Sequence, residues 1–110
     1  MFKQENRLKK KKDFDNVFQK GKTIAGKLVF LKIKKNNLNI NRIGFIIGLK
    51  ISKKAVVRNK IKRQLREIIR ENISNIKQGF DIVAGVNLKA LNEEFQEIKK
   101  DTEKLLKKIS

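Results

Sequence analysis

The sequence is poor in groups that move protons or attack electrophiles. It contains no histidine, cysteine or tyrosine, so the usual general bases and nucleophiles are missing. Its acids are scattered. Glu5 lies in a basic N-terminal run, Asp13 and Asp15 open the first expected helix, Glu67 and Glu71 sit one turn apart on the second, and Asp81 falls in an expected strand. Glu93, Glu94, Glu97, Asp101 and Glu103 share the last helix. None of these spacings makes a metal cluster: Asp13 reads as a helix cap, and Glu67 with Glu71 as ordinary helix surface. No glycine-rich phosphate loop occurs either. No residue is therefore assigned a catalytic role, and no small-molecule substrate is expected. The abundant groups are 29 Lys and Arg and seven Phe. Their chemistry is binding: cations neutralise phosphates, and exposed aromatic faces stack on unpaired bases.

The element that must position most of these cations is residues 50–70, KISKKAVVRNKIKRQLREIIR, with nine basic residues and one acid, Glu67. Val57, Ile61, Leu65, Ile68 and Ile69, continued by Ile76, recur at helical spacing on one face. Asn59, Arg63, Arg66 and Arg70 fall on the opposite face, flanked by Lys60 and Lys62. Such a helix needs a core on one side and a polyanion on the other. Arg58-Asn59-Lys60 at its start adds hydrogen-bonding groups to bare charge.

With 110 residues the chain makes one small domain, 1–110, with a modest core of Ile, Leu, Val and Phe. The formal net charge is +18. Residues 1–79 hold 23 Lys and Arg against five acids, whereas residues 80–110 hold six of each. Coding bias toward Lys, Asn and Ile would not confine the surplus to one part of the chain. A field of this kind attracts nucleic acid or an anionic membrane. No apolar run approaches the roughly 20 residues of a membrane span, and the charged N-terminus is unlike a secretory signal. The expected compartment is the cytoplasm, and no membrane partner is expected.

The remaining elements follow in order. Residues 1–12, with Arg7, Lys9, Lys10, Lys11 and Lys12, read as a basic arm that is either solvated and mobile or a phosphate contact. A two-turn helix follows, capped by Asp13, carrying Phe14, Val17 and Phe18, and stopped by Gly21. Of its two Phe, at least one is expected to serve the core. A strand over Lys27–Lys35 alternates Val29, Leu31 and Ile33 with Leu28, Phe30, Lys32 and Lys34. A second, over Arg42–Ile51, alternates Ile43, Phe45, Ile47, Leu49 and Ile51 with Gly44, Ile46, Gly48 and Lys50, and its two glycines leave room for a close approach. The central helix is expected over Val56–Ile76, closed by Gly79, with a third strand over Phe80–Val86. The order strand, helix, strand implies a parallel neighbour. The last helix begins near Asn92, with Leu91, Phe95, Ile98, Thr102, Leu105 and Ile109 turned inward. Composition and pattern leave a ribosomal protein, a DNA-bending protein and a ribonucleoprotein subunit all open.

Four motifs narrow this. Asn6-Arg7-Leu8, Asp13-Phe14-x-x-Val17-Phe18-x-x-Gly21, Gly48-Leu49-x-x-Ser52-Lys53-Lys54 and Ala55-Val56-Val57-Arg58-Asn59-Lys60-Ile61-Lys62-Arg63-x-x-Arg66-Glu67 together resemble the protein subunit of bacterial ribonuclease P. The last looks like that family's Arg-Asn-Arg helix. The resemblance implies an α/β (α+β) two-layer sandwich with a mostly antiparallel sheet, a short N-terminal helix, a C-terminal helix, and the central basic helix in a left-handed strand-helix-strand crossover. Physics alone would favour the right-handed form. It also implies a division of labour. A catalytic RNA, with Mg2+ held mainly by that RNA, hydrolyses precursor tRNA at the mature 5′ end. The protein binds both the RNA subunit and the 5′ leader.

On that resemblance the leader would meet Phe14, Phe18, Phe30, Lys32, Lys50, Ser52, Lys53 and Lys54. The RNA subunit would meet Arg58, Asn59, Lys60, Lys62, Arg63, Arg66, Arg7, Lys9 and Lys10. Three positions depart from the family. Lys32 stands where an aromatic is common, so a phosphate contact replaces stacking there. The link between the Ser-Lys-Lys and Arg-Asn motifs lacks the family's Gly-Asn segment. Lys60 replaces Arg and loses a bidentate fork. The alternatives are a ribosomal or other structural RNA-binding protein and, ranked low, a cationic membrane-surface protein, whose helix would need a free apolar face.

Overall fold

The computed structural model describes residues 6–109. Its elements are helix α1 (Lys11–Lys20), strands β1 (Lys22–Ala25), β2 (Val29–Lys35) and β3 (Arg42–Ile46), helix α2 (Ala55–Asn72), strand β4 (Phe80–Val86) and helix α3 (Phe95–Leu106). Single 3₁₀ turns follow α2, β4 and α3. The strands form one sheet in the order β1-β2-β4-β3. β1 with β2 and β2 with β4 are antiparallel, and β3 with β4 is parallel, as the strand-helix-strand order implies.

Alternation sends two different sets of side chains to the two sheet faces. Val29 and Leu31 on β2, Ile82, Ala84 and Val86 on β4, and Ile43 on β3 meet the helical layer. That layer is α2, through Ile61, Leu65, Ile68 and Ile69, packed against α3, through Ile98, Leu105 and Leu106. The apolar stripe read along 57–69 is therefore spent on the core, with Leu65, Ile68 and Ile69 fully buried. The other face carries a smaller cluster, Leu8, Val17 and Val83 with Phe14 and Phe18 against it, where α1 crosses the sheet.

Several expected boundaries shift, each for a local reason. β1 is an addition to the expected elements: Lys22–Ala25 is short and exposed, and exists as a strand through its pairing with β2. Lys27 and Leu28 belong to the turn between those strands, not to β2. β3 ends at Ile46, and the chain leaves the sheet; Ile47 is buried, but Leu49, expected to face inward, is 67% exposed. α2 ends at Asn72 rather than Ile76, and Gly79 does not cap it. Gly79 instead takes φ +97, the left-handed region glycine tolerates, to turn the chain into β4. α3 starts at Phe95 rather than near Asn92, and Leu91 is exposed. Lys10, not Asp13, occupies the N-cap of α1; Asp13 lies in the first turn, paired with Arg42 at 3.5 Å.

Of the basic run over 1–12, residues 1–5 lie outside the described residues. The remainder is no free arm. Leu8 is buried and donates its N–H to the Ile43 carbonyl at 2.9 Å, Arg7 bridges to Ile43, and Asn6 Nδ2 donates to the Asn41 carbonyl at 2.8 Å. Residues 11 and 12 begin α1.

Candidate nucleic-acid interface

The sheet face away from α2 and α3 is organised in rows across the strands. Phe30, Gly85 and Ile46 form one row with Ala25; Lys32, Val83 and Gly44 form the next with Thr23; Lys34, Asp81 and Arg42 form the third. α1 covers the second and third. The Phe14 ring lies where a Gly44 Cβ would be, so that glycine's room is taken by the protein's own side chain. Gly48, the other glycine expected on this face, lies beyond β3 and faces open space. The third row is locked by charge. Arg42 donates to both Asp81 oxygens, Nε at 2.8 Å and Nη2 at 2.7 Å, which, against the opposing effect of desolvation, raises the Arg42 pKa. This bidentate pair fixes the α1 end through Asp13.

The first row is left open. Phe30 stands over Gly85, filling the space a Cβ would need, and is half-exposed; Ile46 beside it is 40% exposed. At the neighbouring row Lys32 Nζ lies 5.3 Å from the centre of the Phe18 ring and donates to Thr23 Oγ1 at 3.1 Å. Lys32 thus keeps its cation at the surface against an aromatic, a phosphate-ready arrangement where the sequence lacks a second ring. Phe14 and Phe18 are each half-buried, so both serve the small cluster and both show an edge to solvent.

A second locus lies where β3 becomes α2. Ile51 N–H donates to the Gly48 carbonyl at 3.1 Å, and Lys54 N–H donates to Ser52 Oγ at 3.1 Å. Arg58 Nη1 reaches back from the first turn of α2 to the Ser52 carbonyl at 2.8 Å. The half-buried Arg58 therefore braces the Ser-Lys-Lys turn, a role that its place in the RNA-binding motif does not imply. Lys50, Lys53 and Lys54 remain exposed. No side chain caps α2, and no acid stands in its first turn. Its N-terminal N–H groups and the helix dipole add to the three lysines.

The third locus joins α2 to the N-terminal segment. A cleft of about 360 Å³ is lined by Arg7, Leu8, Phe14, Phe45, Lys62 and Arg66, among others. Arg66 lies 5.6 Å from the centre of the Phe45 ring. Lys9 borders this cleft, Lys10 is exposed at the N-cap of α1, and Asn59, Lys60 and Arg63 are exposed elsewhere on α2. Phe45 packs against the core as expected, but it is only half-buried and also forms part of the cleft wall. Its position on the edge strand, beside an arginine-rich helix, is the signal that could have found it. Among the described residues no three acids converge on a possible metal position, and no helix is long and apolar enough to cross a membrane.

The ribonuclease P family model matches residues 2–110. The chain is 38% identical over 105 residues to a ribonuclease P protein component of Alkaliphilus oremlandii, covering 96% of this chain and 91% of that one. It is 40% identical over 102 residues to the one from Caldanaerobacter subterraneus subsp. tengcongensis, covering 93% and 87%. Among solved structures, the Thermotoga maritima RNase P protein in complex with 1-(4-fluorophenyl)-2-thiourea superposes with a TM-score of 0.87 at 34% identity, covering 94% of this chain and all of that one (100%). A Staphylococcus aureus RNase P protein gives 0.85 at 30%, covering 93% of each. The chain belongs to the bacterial ribonuclease P protein family. RNA binding and a part in tRNA processing follow from that membership.

Proposed function

We propose that this member of the ribonuclease P protein family binds the catalytic RNA of the holoenzyme through α2 and the Arg7 cleft, and the single-stranded 5′ leader of precursor tRNA across the open row of the sheet. The observation that carries the reading is the juxtaposition of three surfaces. Half-exposed Phe14, Phe18 and Phe30 with Lys32 suit unpaired bases and phosphates. The exposed lysines at 50, 53 and 54 suit phosphates, and the outer face of α2 suits a folded RNA. The apolar face of α2 is buried against the sheet, which argues against insertion into a membrane surface. The chain supplies binding and orientation. The hydrolysis itself is assigned to the RNA. Among the described residues no three carboxylates converge on a possible metal position, and magnesium is assigned to the RNA. The compartment proposed is the bacterial cytoplasm.

Reconstitution tests this. Precursor tRNA is incubated with a bacterial ribonuclease P RNA at low magnesium, with and without the protein. Cleavage at the mature 5′ end that appears or accelerates with the protein is the expected result. Tight RNA binding with no effect on cleavage across several RNA subunits would instead support a structural RNA-binding protein.

A further inference from the structure

We propose that Asp101, on α3, is a positioning residue for the open row of the sheet. The proposal rests on the leader-binding reading of that row. The Asp101 side chain projects into the turn between β1 and β2 and accepts three consecutive backbone N–H groups: Lys27 at 3.2 Å on Oδ1, and Leu28 and Val29 at 2.8 Å each on Oδ2. Gly26 completes the seat. A Cβ there would fall 2.5 Å from both carboxylate oxygens, so the residue before this donor set has no room for a side chain. The same turn is held from its other side by the end of β4, where Asn87 Nδ2 donates to the Lys27 carbonyl and Asn87 N–H to the Leu28 carbonyl at 2.9 Å. Gly26 N–H donates to the Val29 carbonyl at 2.8 Å and closes the hairpin.

The consequence runs along the strand. Val29 is the last of the three donors, and Phe30 is the next residue, paired with Gly85 and stacked over it. Two residues farther on, Lys32 pairs with Thr23 on β1. β1 is a short, exposed edge strand that touches the rest of the sheet through β2 alone. An edge hairpin of this kind frays unless something pins its turn. A carboxylate accepting several backbone N–H bonds is among the stronger pins available. Asp101 thereby sets the hairpin register from the opposite layer of the molecule, and with it the places of Phe30 and Lys32. It touches neither RNA nor substrate.

The test uses the full chain reconstituted with ribonuclease P RNA, comparing wild type, Asp101→Asn and Gly26→Ala. Each variant should raise KM for leader-bearing precursor tRNA about tenfold, the scale of one missing charge-assisted hydrogen bond, with kcat little changed. The KM for precursor with a one-nucleotide leader and the affinity for the RNA subunit should stay within about twofold. Hydrogen exchange on the free protein should show the amides of Lys27, Leu28 and Val29 less protected in Asp101→Asn than in wild type while β4 keeps its protection. Because both single variants disrupt the same seat, Gly26→Ala and Asp101→Asn combined should be no worse than either alone. Equal losses on long-leader and short-leader substrates would make Asp101 merely structural and overturn the proposal. So would unchanged leader affinity with the three amides less protected. A wild-type protein that shows no preference for the longer leader would remove the functional reading itself. The exchange data, which need no RNA, would separate that failure from a turn that Asp101 never held.

Discussion

Single side chains divide the open surface between contact and support. Arg58 gives support, its guanidinium bracing the Ser52 carbonyl, and the proposed function adds contact with RNA. Arg58→Ala should weaken RNA binding by about 1–3 kcal/mol, the range for a charge-assisted contact, and should also loosen the turn bearing Lys53 and Lys54. Filter binding across a salt series checks the first effect, and amide exchange at Lys54, whose N–H meets Ser52 Oγ, checks the second. Phe18→Ala should impair precursor tRNA more than mature tRNA, because its ring backs Lys32 at the open face; competition binding of the two RNAs decides it. The contact types are legible in the sequence: aromatics at i and i+4 on the first helix and cations on the second. Whether Phe14 is core or contact is not, because that depends on Gly44, thirty positions away, leaving space for its ring.

At the scale of elements, α2 buries one face in the core, and the proposed function gives its other face to RNA. Leu65→Ala, at a fully buried position, should cost about 2–5 kcal/mol of stability by the usual cavity penalty. Arg63→Ala, on the exposed face, should leave stability within roughly 0.5 kcal/mol while weakening RNA binding. Urea denaturation of both variants, set beside their RNA affinities, tests the separation. Helical periodicity alone makes this division readable. The ends of the helix are not readable in the same way. Local signals such as Gly79 mark a turn without saying which element it serves, and here it serves the entry to β4. β1 is hidden for a related reason: four exposed residues have too little pattern of their own, and their partner, β2, makes them a strand.

For the whole molecule, the formal net charge of +18 lies entirely in residues 1–79, which include α1, the 47–54 connection and α2. Replacing Lys50, Lys53 and Lys54 together by Gln should flatten the dependence of log K on log salt by about 0.7–0.9 for each phosphate no longer neutralised. Titrations at several salt concentrations read that slope directly. Residues 80–110 are by contrast electrically balanced, and they supply β4 inside the sheet and α3 behind it. Asp101 shows that this segment is more than ballast, since its carboxylate reaches through to the turn before Phe30.

What the sequence determined by itself was therefore chemistry and layering. The missing proton carriers, the localised charge, the two-faced helix and the family motifs pointed to an RNA-binding α+β domain, because composition and periodicity are properties of neighbouring residues. What the tertiary structure decided was which of these residues meet. The cleft joining Arg7, Phe14 and Arg66, the seat of Phe30 over Gly85, the brace from Arg58 to Ser52 and the hold of Asp101 on residues 27–29 depend mainly on strand order and register. Pairings between distant segments are selected by the cooperative burial of one shared core, and no local stretch encodes them.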